Sequence, residues 1–173
     1  MFRPPSIKDA KKIWELIGRC KPLDINSPYC YALIGRDFFD SSIVYEEEGR
    51  IKGVVIGYLR PRAPERLFVW QVAIEAKSRG KGIAKRAIEA ILKNLERKGH
   101  CIQAIEATYT PSNLASKALF HALGREWKVV WIEENFLEGA LLSAQEAHEE
   151  EWLITLPFSS EALGVQGVNH ANL

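Results

Sequence analysis

Leu67-Phe68-Val69-Trp70-Gln71-Val72-Ala73-Ile74 is a nearly continuous apolar run, far too short to span a membrane and rich in β-branched and aromatic side chains. Such a run reads as a strand covered on both faces. A short charged turn with two glycines follows, and then Ile83, Ala87, Ile88, Ile91, Leu92 and Leu95 recur at three- and four-residue spacing. That spacing predicts a helix from Gly82 to Lys98, stopped at Gly99. A buried strand feeding straight into a long helix demands a layered α/β or α+β chain, and it places this strand at the centre of a mixed sheet flanked by helices.

The rest of the chain supplies the layers. Ser6-Ile7-Lys8-Asp9 resembles a capping box ahead of Ala10, Ile13, Trp14 and Ile17, predicting a first helix to about Cys20 that Lys21-Pro22 ends. Ser27 as N-cap with Pro28 in the first turn predicts a second, carrying Tyr29, Tyr31 and Leu33 and fading near Asp40. Ser42 to Glu47 and Ile51 to Leu59 form a hairpin about Glu48-Gly49-Arg50, and Pro61 and Pro64 mark a loop. Further strands are expected at Ile102 to Thr108, Val129 to Glu133 and Trp152 to Leu156, with a helix begun by Pro111-Ser112-Asn113. The acidic segment from Asn135 to Glu150 is expected to hold a helical turn near Leu141. Residues 1–157 form one domain on this reading, and 158–173 a loosely ordered tail.

Composition narrows the function. At 173 residues, with 47% hydrophobic and 26% charged side chains, the chain has the make-up of one globular domain. Lys+Arg 23 against Asp+Glu 22 argues against nucleic acid or an anionic membrane as a partner. Met1-Phe2-Arg3-Pro4-Pro5 lacks the layout of a secretion signal, so the expectation is a cytoplasmic protein. Cys20, Cys30 and Cys101 are widely spaced with no CxxC pair, and His148-Glu149-Glu150-Glu151-Trp152 lacks the HExxH spacing, so no metal is expected.

Arg79-Gly80-Lys81-Gly82-Ile83-Ala84 carries the chemistry. Between a strand and a helix, it can aim backbone N–H groups and a helix N-terminus at one phosphate, with glycines allowing close approach and Arg79, Lys81 and Lys85 adding charge. It is neither a P-loop nor a dinucleotide fingerprint.

Arg79-x-x-Gly82-x-Ala84 resembles the [Q/R]-x-x-G-x-[G/A] acetyl-CoA signature of the GNAT N-acetyltransferases, and the strand before it, the helix after it and Asn113 beyond the next strand match in order. The resemblance implies the GNAT acyl-CoA N-acyltransferase fold. It also implies acetyl-CoA held by Val72, Ala73, Ile74, Arg79, Gly80, Lys81, Gly82, Ile83, Ala84, Asn113, Ser116 and Phe120. Within that superfamily, Leu23-Asp24-x-Asn26-Ser27-x-Tyr29-x-Tyr31, Phe68 to Ala73, Thr110-Pro111-Ser112-Asn113-x-Ala115-Ser116 and His148-Glu149-x-Glu151 are similar to the diaminobutyrate acetyltransferases of ectoine synthesis. The similarity covers about residues 2 to 156.

The implied reaction acetylates the γ-amino group of L-2,4-diaminobutyrate in a cytoplasmic homodimer. Its implied catalytic set is Glu151, Asp24 and Trp70, and its substrate set is Asp24, Asn26, Ser27, Tyr29, Tyr31, Trp70, Thr108, His148 and Glu151. Two carboxylates suit a substrate with two amines, although an aspartate at position 24 also suits a loop turning toward Ser27 and Trp70 also suits a buried core. Acetylation of another small diamine or diamino acid, and noncatalytic acetyl-CoA binding, are the alternative readings. Seven residues after Asn113, where many GNAT members carry a tyrosine acid, stands Phe120, which leaves the leaving thiolate to Ser116, water or the attacking ammonium.

Overall fold

The computed structural model describes residues 1–142 and 148–158. The apolar run is the heart of strand β4 (Ala63–Ile74), which begins inside the stretch expected to loop. Pro64 is tolerated there because the register jumps from Leu59↔Leu67 to Arg60↔Ala63, so Pro64 falls where no ladder N–H is required. Its antiparallel partner is β3 (Arg50–Arg60), which a tight turn with positive φ at Glu48 and Gly49 joins to β2 (Ile43–Glu47). A two-residue strand, β1 (Phe2–Arg3), completes this edge. It is too short to show in a periodicity, and it is tied down by Arg3, whose guanidinium meets Asp9 at 2.8 Å and Glu46 at 2.6 Å.

On the other side β4 pairs in parallel with β5 (Ala104–Tyr109), followed by β7 (Glu151–Pro157) and then β6 (Ile132–Leu137), giving the order β1-β2-β3-β4-β5-β7-β6. Every other neighbour is antiparallel.

Two helices cover each face. Ala10–Gly18 (α1) and Pro28–Asp37 (α2) bury Ile13, Leu16, Ile17, Tyr31 and Ile34 against Val44, Val54 and Ile56. The Ser6 N–H and hydroxyl both bond to the Asp9 carboxylate ahead of α1, and Ser27 Oγ accepts the Cys30 N–H at 3.2 Å to cap α2. The second helix stops at Asp37, short of Asp40. On the opposite face Ile83–Arg97 (α3) and Leu114–Glu126 (α4) bury Ile88, Ile91, Leu95, Phe120 and Leu123 against Val55, Leu67, Val69 and Ile105. Each such side chain contributes about 1.5–3 kcal/mol on leaving water, so the two faces hold the sheet from both sides.

Trp70 interrupts the central strand. Gly57 pairs with Val69 and Ile56 with Gln71, leaving Trp70 as the extra residue of a bulge. Gly57 allows this pinch, since a Cβ there would lie 2.9 Å from the Phe68 carbonyl oxygen. Before the bulge, Leu67 and Val69 belong to the α3–α4 face, and after it Ala73 belongs to the α1–α2 face. One unpaired residue therefore exchanges the faces of the strand.

The strand expected at Val129 to Glu133 starts instead at Ile132. Lys128 takes a positive φ of 55°, the Val129 N–H returns to the Gly124 carbonyl, and Trp131 stacks on His121 at 4.7 Å, so these residues fold back over α4. The turn expected near Leu141 is a short helix, α5 (Gly139–Leu142). Of the expected 158–173 tail only Phe158 is described; its N–H donates to the Gln103 carbonyl and its ring meets Trp127 at 5.3 Å. The remainder lies outside the described residues, as do residues 143–147 of the acidic segment.

Candidate active site

Parallel pairing of β4 with β5 ends at Val69↔Ala107. From Gln71 to Ile74 the strand keeps only β3 as a partner, so the two strands part and open a slot at the sheet centre. Val72, Ala73 and Ile74 form one wall of it. Beyond Ile74 the chain runs through a 3-10 turn into the Arg79 to Ala84 turn, where Gly80 and Gly82 have φ of 74° and 67°. Both are in the left-handed region that only glycine enters freely, and a Cβ at either would meet no protein atom within 4 Å. Gly82 is the N-cap of α3 and has no side chain to bond the first-turn N–H groups, which leaves them for an anion. This is a backbone turn with main-chain donors open to an anion.

The side chains around the cradle are less uniform than the sequence suggests. Lys81 is exposed, but Arg79 folds back, donating from Nε to the Ile74 carbonyl at 3.0 Å, and Lys85 is paired with Glu126 and Glu89. Asn113 caps α4 by accepting the Ser116 N–H at 3.1 Å, and Phe120 is packed into the core beneath.

A second group of polar side chains is assembled from four segments. Glu151 opens β7 and accepts a hydrogen bond from Thr108 of β5. Burial pushes its carboxyl pKa up, the Thr108 hydroxyl and His148 pull it down, and the charge of Asp24 raises it, with a net upward shift. Glu151 and Asp24 thus share one electrostatic field. Asp24 is held through its carbonyl, which accepts Gln71 Nε2 at 2.8 Å. Gln71 Oε1 in turn accepts the Tyr31 hydroxyl at 3.3 Å, and that hydroxyl accepts the Asn26 N–H at 3.1 Å. Tyr31 is fully buried, so it and Asn26 fix the Asp24 loop, as Ser27 fixes the helix after it. Tyr29 stands 72% exposed on the first turn of α2. His148 Nδ1 lies 2.6 Å from the Glu149 carbonyl oxygen, and Glu149 bonds Ser112 ahead of α4.

Trp70 is not core. It is 42% exposed and lines a cleft of about 480 Å³ together with Phe38, Tyr58, Phe68, Thr108 and Phe136. The bulge turns its indole outward into this cleft. Sequence reading missed Gln71 as the strut under Asp24, and it missed the cleft aromatics. Tyr58 and Phe68 could have been found, since they sit cross-strand in the β3–β4 pair with rings 5.2 Å apart. Also missed was Glu106, buried on β5, whose carboxylate is bonded by Arg60 at 2.8 Å and Arg66 at 2.6 Å. Among the described residues no cluster of metal-ligating side chains occurs, and no helix is long and apolar enough to cross a membrane.

Residues 10–124 match the acetyltransferase (GNAT) family. An L-2,4-diaminobutyric acid acetyltransferase of Wolinella succinogenes is 99% identical over 100% of both chains. One of Halomonas elongata is 37% identical over 94% of this chain and 83% of its own. A solved diaminobutyrate acetyltransferase from Paenibacillus lautus, in complex with its substrate L-2,4-diaminobutyric acid and coenzyme A, is 35% identical. It superposes with a TM-score of 0.87, covering 92% of this chain and 96% of that one.

Proposed function

This chain belongs to the GNAT acetyltransferase family, in its diaminobutyrate acetyltransferase branch, and we propose that it transfers an acetyl group from acetyl-CoA to the γ-amino group of L-2,4-diaminobutyrate. The products are N4-acetyl-L-2,4-diaminobutyrate, the precursor of ectoine, and CoA. The observation that carries this reading is the parting of β4 from β5 beside Thr108 and Glu151, on the strand that ends in the glycine cradle.

Acetyl-CoA supplies the activated acyl group as a thioester. Its pyrophosphate fits the N–H groups of the Gly80–Gly82 turn and the start of α3, and its acyl end fits the slot between the parted strands. The unshared edge of β4 at Val72 to Ile74 offers main-chain N–H groups for the oxyanion that develops as the amine attacks. The amine must arrive neutral. Glu151, its carboxyl already shifted toward neutrality by burial and by Asp24, accepts the ammonium proton more readily than an exposed glutamate would. Asp24 holds the second ammonium, which leaves one nitrogen free to react. Trp70 shields that contact from water on its cleft side.

We place the enzyme in the cytoplasm as a homodimer. The exposed apolar side chains Val130, Ile132, Phe136 and Leu141, on and beside β6, support an association surface there. Sedimentation at micromolar concentration should show a two-chain mass, and a monomer alone would end that part of the reading. The site is tested by assaying diaminobutyrate, ornithine, lysine and putrescine with acetyl-CoA and locating the new amide by NMR. Turnover should be fastest with diaminobutyrate and acetylation confined to the γ-nitrogen; α-acetylation or a preference for putrescine would refute the assignment.

A further inference from the structure

Asp24 stands on an exposed loop, and among the described residues no hydrogen bond reaches its carboxylate, so its place is set by its main chain. Taking the diaminobutyrate reading above as its basis, we infer that Gln71 is the positioning residue that makes the site selective for chain length. By clamping Asp24 to β4 it fixes the span from the spectator ammonium to the acyl slot, so that diaminobutyrate is preferred to its longer homologue ornithine.

The clamp has one polarity. The Asp24 carbonyl can only accept, so it takes the Gln71 amide through Nε2 at 2.8 Å. The Asn26 N–H can only donate, so the Tyr31 oxygen accepts it at 3.1 Å and gives its own proton to Gln71 Oε1 at 3.3 Å. Two points of the loop thus close on a single amide. Gln71 is 7% exposed and Tyr31 fully buried, so water does not compete for these bonds.

Gln71 is also where the strand changes partners. Trp70 before it is the bulge that lines the cleft, and from Gln71 onward β4 pairs with β3 alone. Its side chain holds the partner of the spectator ammonium while its main chain begins the wall of the slot. Both ends of the reacting substrate are therefore referred to one residue. One added methylene moves the reacting nitrogen by about 1.3 Å by standard bond lengths, and a misplacement of that size costs about 100-fold when the groups that hold it are rigid. A loop free to shift would follow the longer substrate and forfeit that discrimination, whereas a loop clamped to the strand cannot.

The test compares diaminobutyrate, ornithine and 4-aminobutyrate, which has the γ-amine but no second ammonium for Asp24, at saturating acetyl-CoA. Where one of the last two turns over too slowly, its Ki against diaminobutyrate is read instead. Gln71→Met fills similar space without a hydrogen bond to the loop. It should lower kcat/KM for diaminobutyrate at least about tenfold, chiefly through KM, with ornithine and 4-aminobutyrate within about threefold and the acetyl-CoA Kd within about twofold. Tyr31→Phe keeps the amide and removes only the hydroxyl that orients it, so it should give a smaller loss in the same direction, and it decides the matter if Gln71→Met does not fold. Beside Asp24→Asn, where the carboxylate is already gone, Gln71→Met should lower kcat/KM less than about twofold further. Equal losses on all three substrates, or the full loss retained beside Asp24→Asn, would mark Gln71 as a structural tie only, and unchanged selectivity would remove it from the site. Each of these results overturns the inference while the wild-type enzyme still acetylates diaminobutyrate. Failure of the wild type itself to do so overturns the site reading along with it.

Discussion

The proposed phosphate cradle and amine cleft are both served by strand β4, the first beyond its end and the second from its bulge, and they are built from different material. Arg79 to Ala84 offers main-chain N–H groups from consecutive residues, fixed by two positive φ angles and the start of α3. At the bulge Asp24, Trp70, Thr108 and Glu151 arrive from a loop, a bulge and two strands, with Asp24 held by Gln71 and Tyr31 and Glu151 bonded by Thr108. A backbone site survives most changes of side chain and depends on conformation. A side-chain site depends on charge and hydrogen bonding, and it can be retuned one residue at a time.

The comparison breaks most sharply at Glu151. Glu151→Gln keeps shape and removes the proton acceptor, so kcat/KM for diaminobutyrate should fall about 100-fold while acetyl-CoA binding, followed calorimetrically, stays within twofold. A variant with undiminished turnover would remove Glu151 from proton transfer. The reverse dissection is Gly82→Val. A branched residue at φ 67° strains the turn and crowds the anion, so the acetyl-CoA Kd should rise tenfold or more, about 1.4 kcal/mol, with the amine site untouched. An unaltered Kd in a folded variant would move the cofactor elsewhere.

A smaller effect sharpens the contrast. Activity needs ionised Glu151, so kcat/KM is lost as pH falls through its raised pKa. Removing the Thr108 hydroxyl in Thr108→Val takes away a bond that holds that pKa down, and the acidic limb should move to higher pH. Asp24→Asn takes away a charge that holds it up, and the limb should move to lower pH. Profiles that shift in the same direction, or not at all, would show that another group sets the limb. The cradle, which offers main-chain N–H groups and no carboxylate, should show neither shift.

This difference in material also decides what could be read from sequence. The cradle is local: two glycines, a preceding apolar run and a following helical period stand within about thirty residues, and each has a propensity of its own. The cleft is not. Nothing around position 70 announces a bulge, because Val69-Trp70-Gln71 reads equally well as plain alternation, and it is Gly57 on the neighbouring strand that permits the pinch. Glu106 reads as a charge in an otherwise apolar strand until β3 and β4 bring Arg60 and Arg66 to it. Val129-Val130-Trp131 has strand propensity, yet the left-handed turn at Lys128 and the His121 stack override it. Asp24 and Glu151 are proposed through family likeness, whereas the Gln71 strut between loop and strand carries no signal in the sequence.

The unpaired Trp70 gives strand β4 a property that no list of its residues contains. It acts as a dislocation in a periodic lattice: upstream and downstream stretches are each in step, but out of phase with one another. Inserting one residue into β3 between Ile56 and Gly57, opposite Trp70, would close the bulge and rotate Gln71 and Ala73 onto the α3–α4 face, withdrawing the strut from Asp24 although every chemical group survives. The two central strands thus encode the site in their relative length as much as in their composition, and they should accept many substitutions where they accept no inserted partner for Trp70.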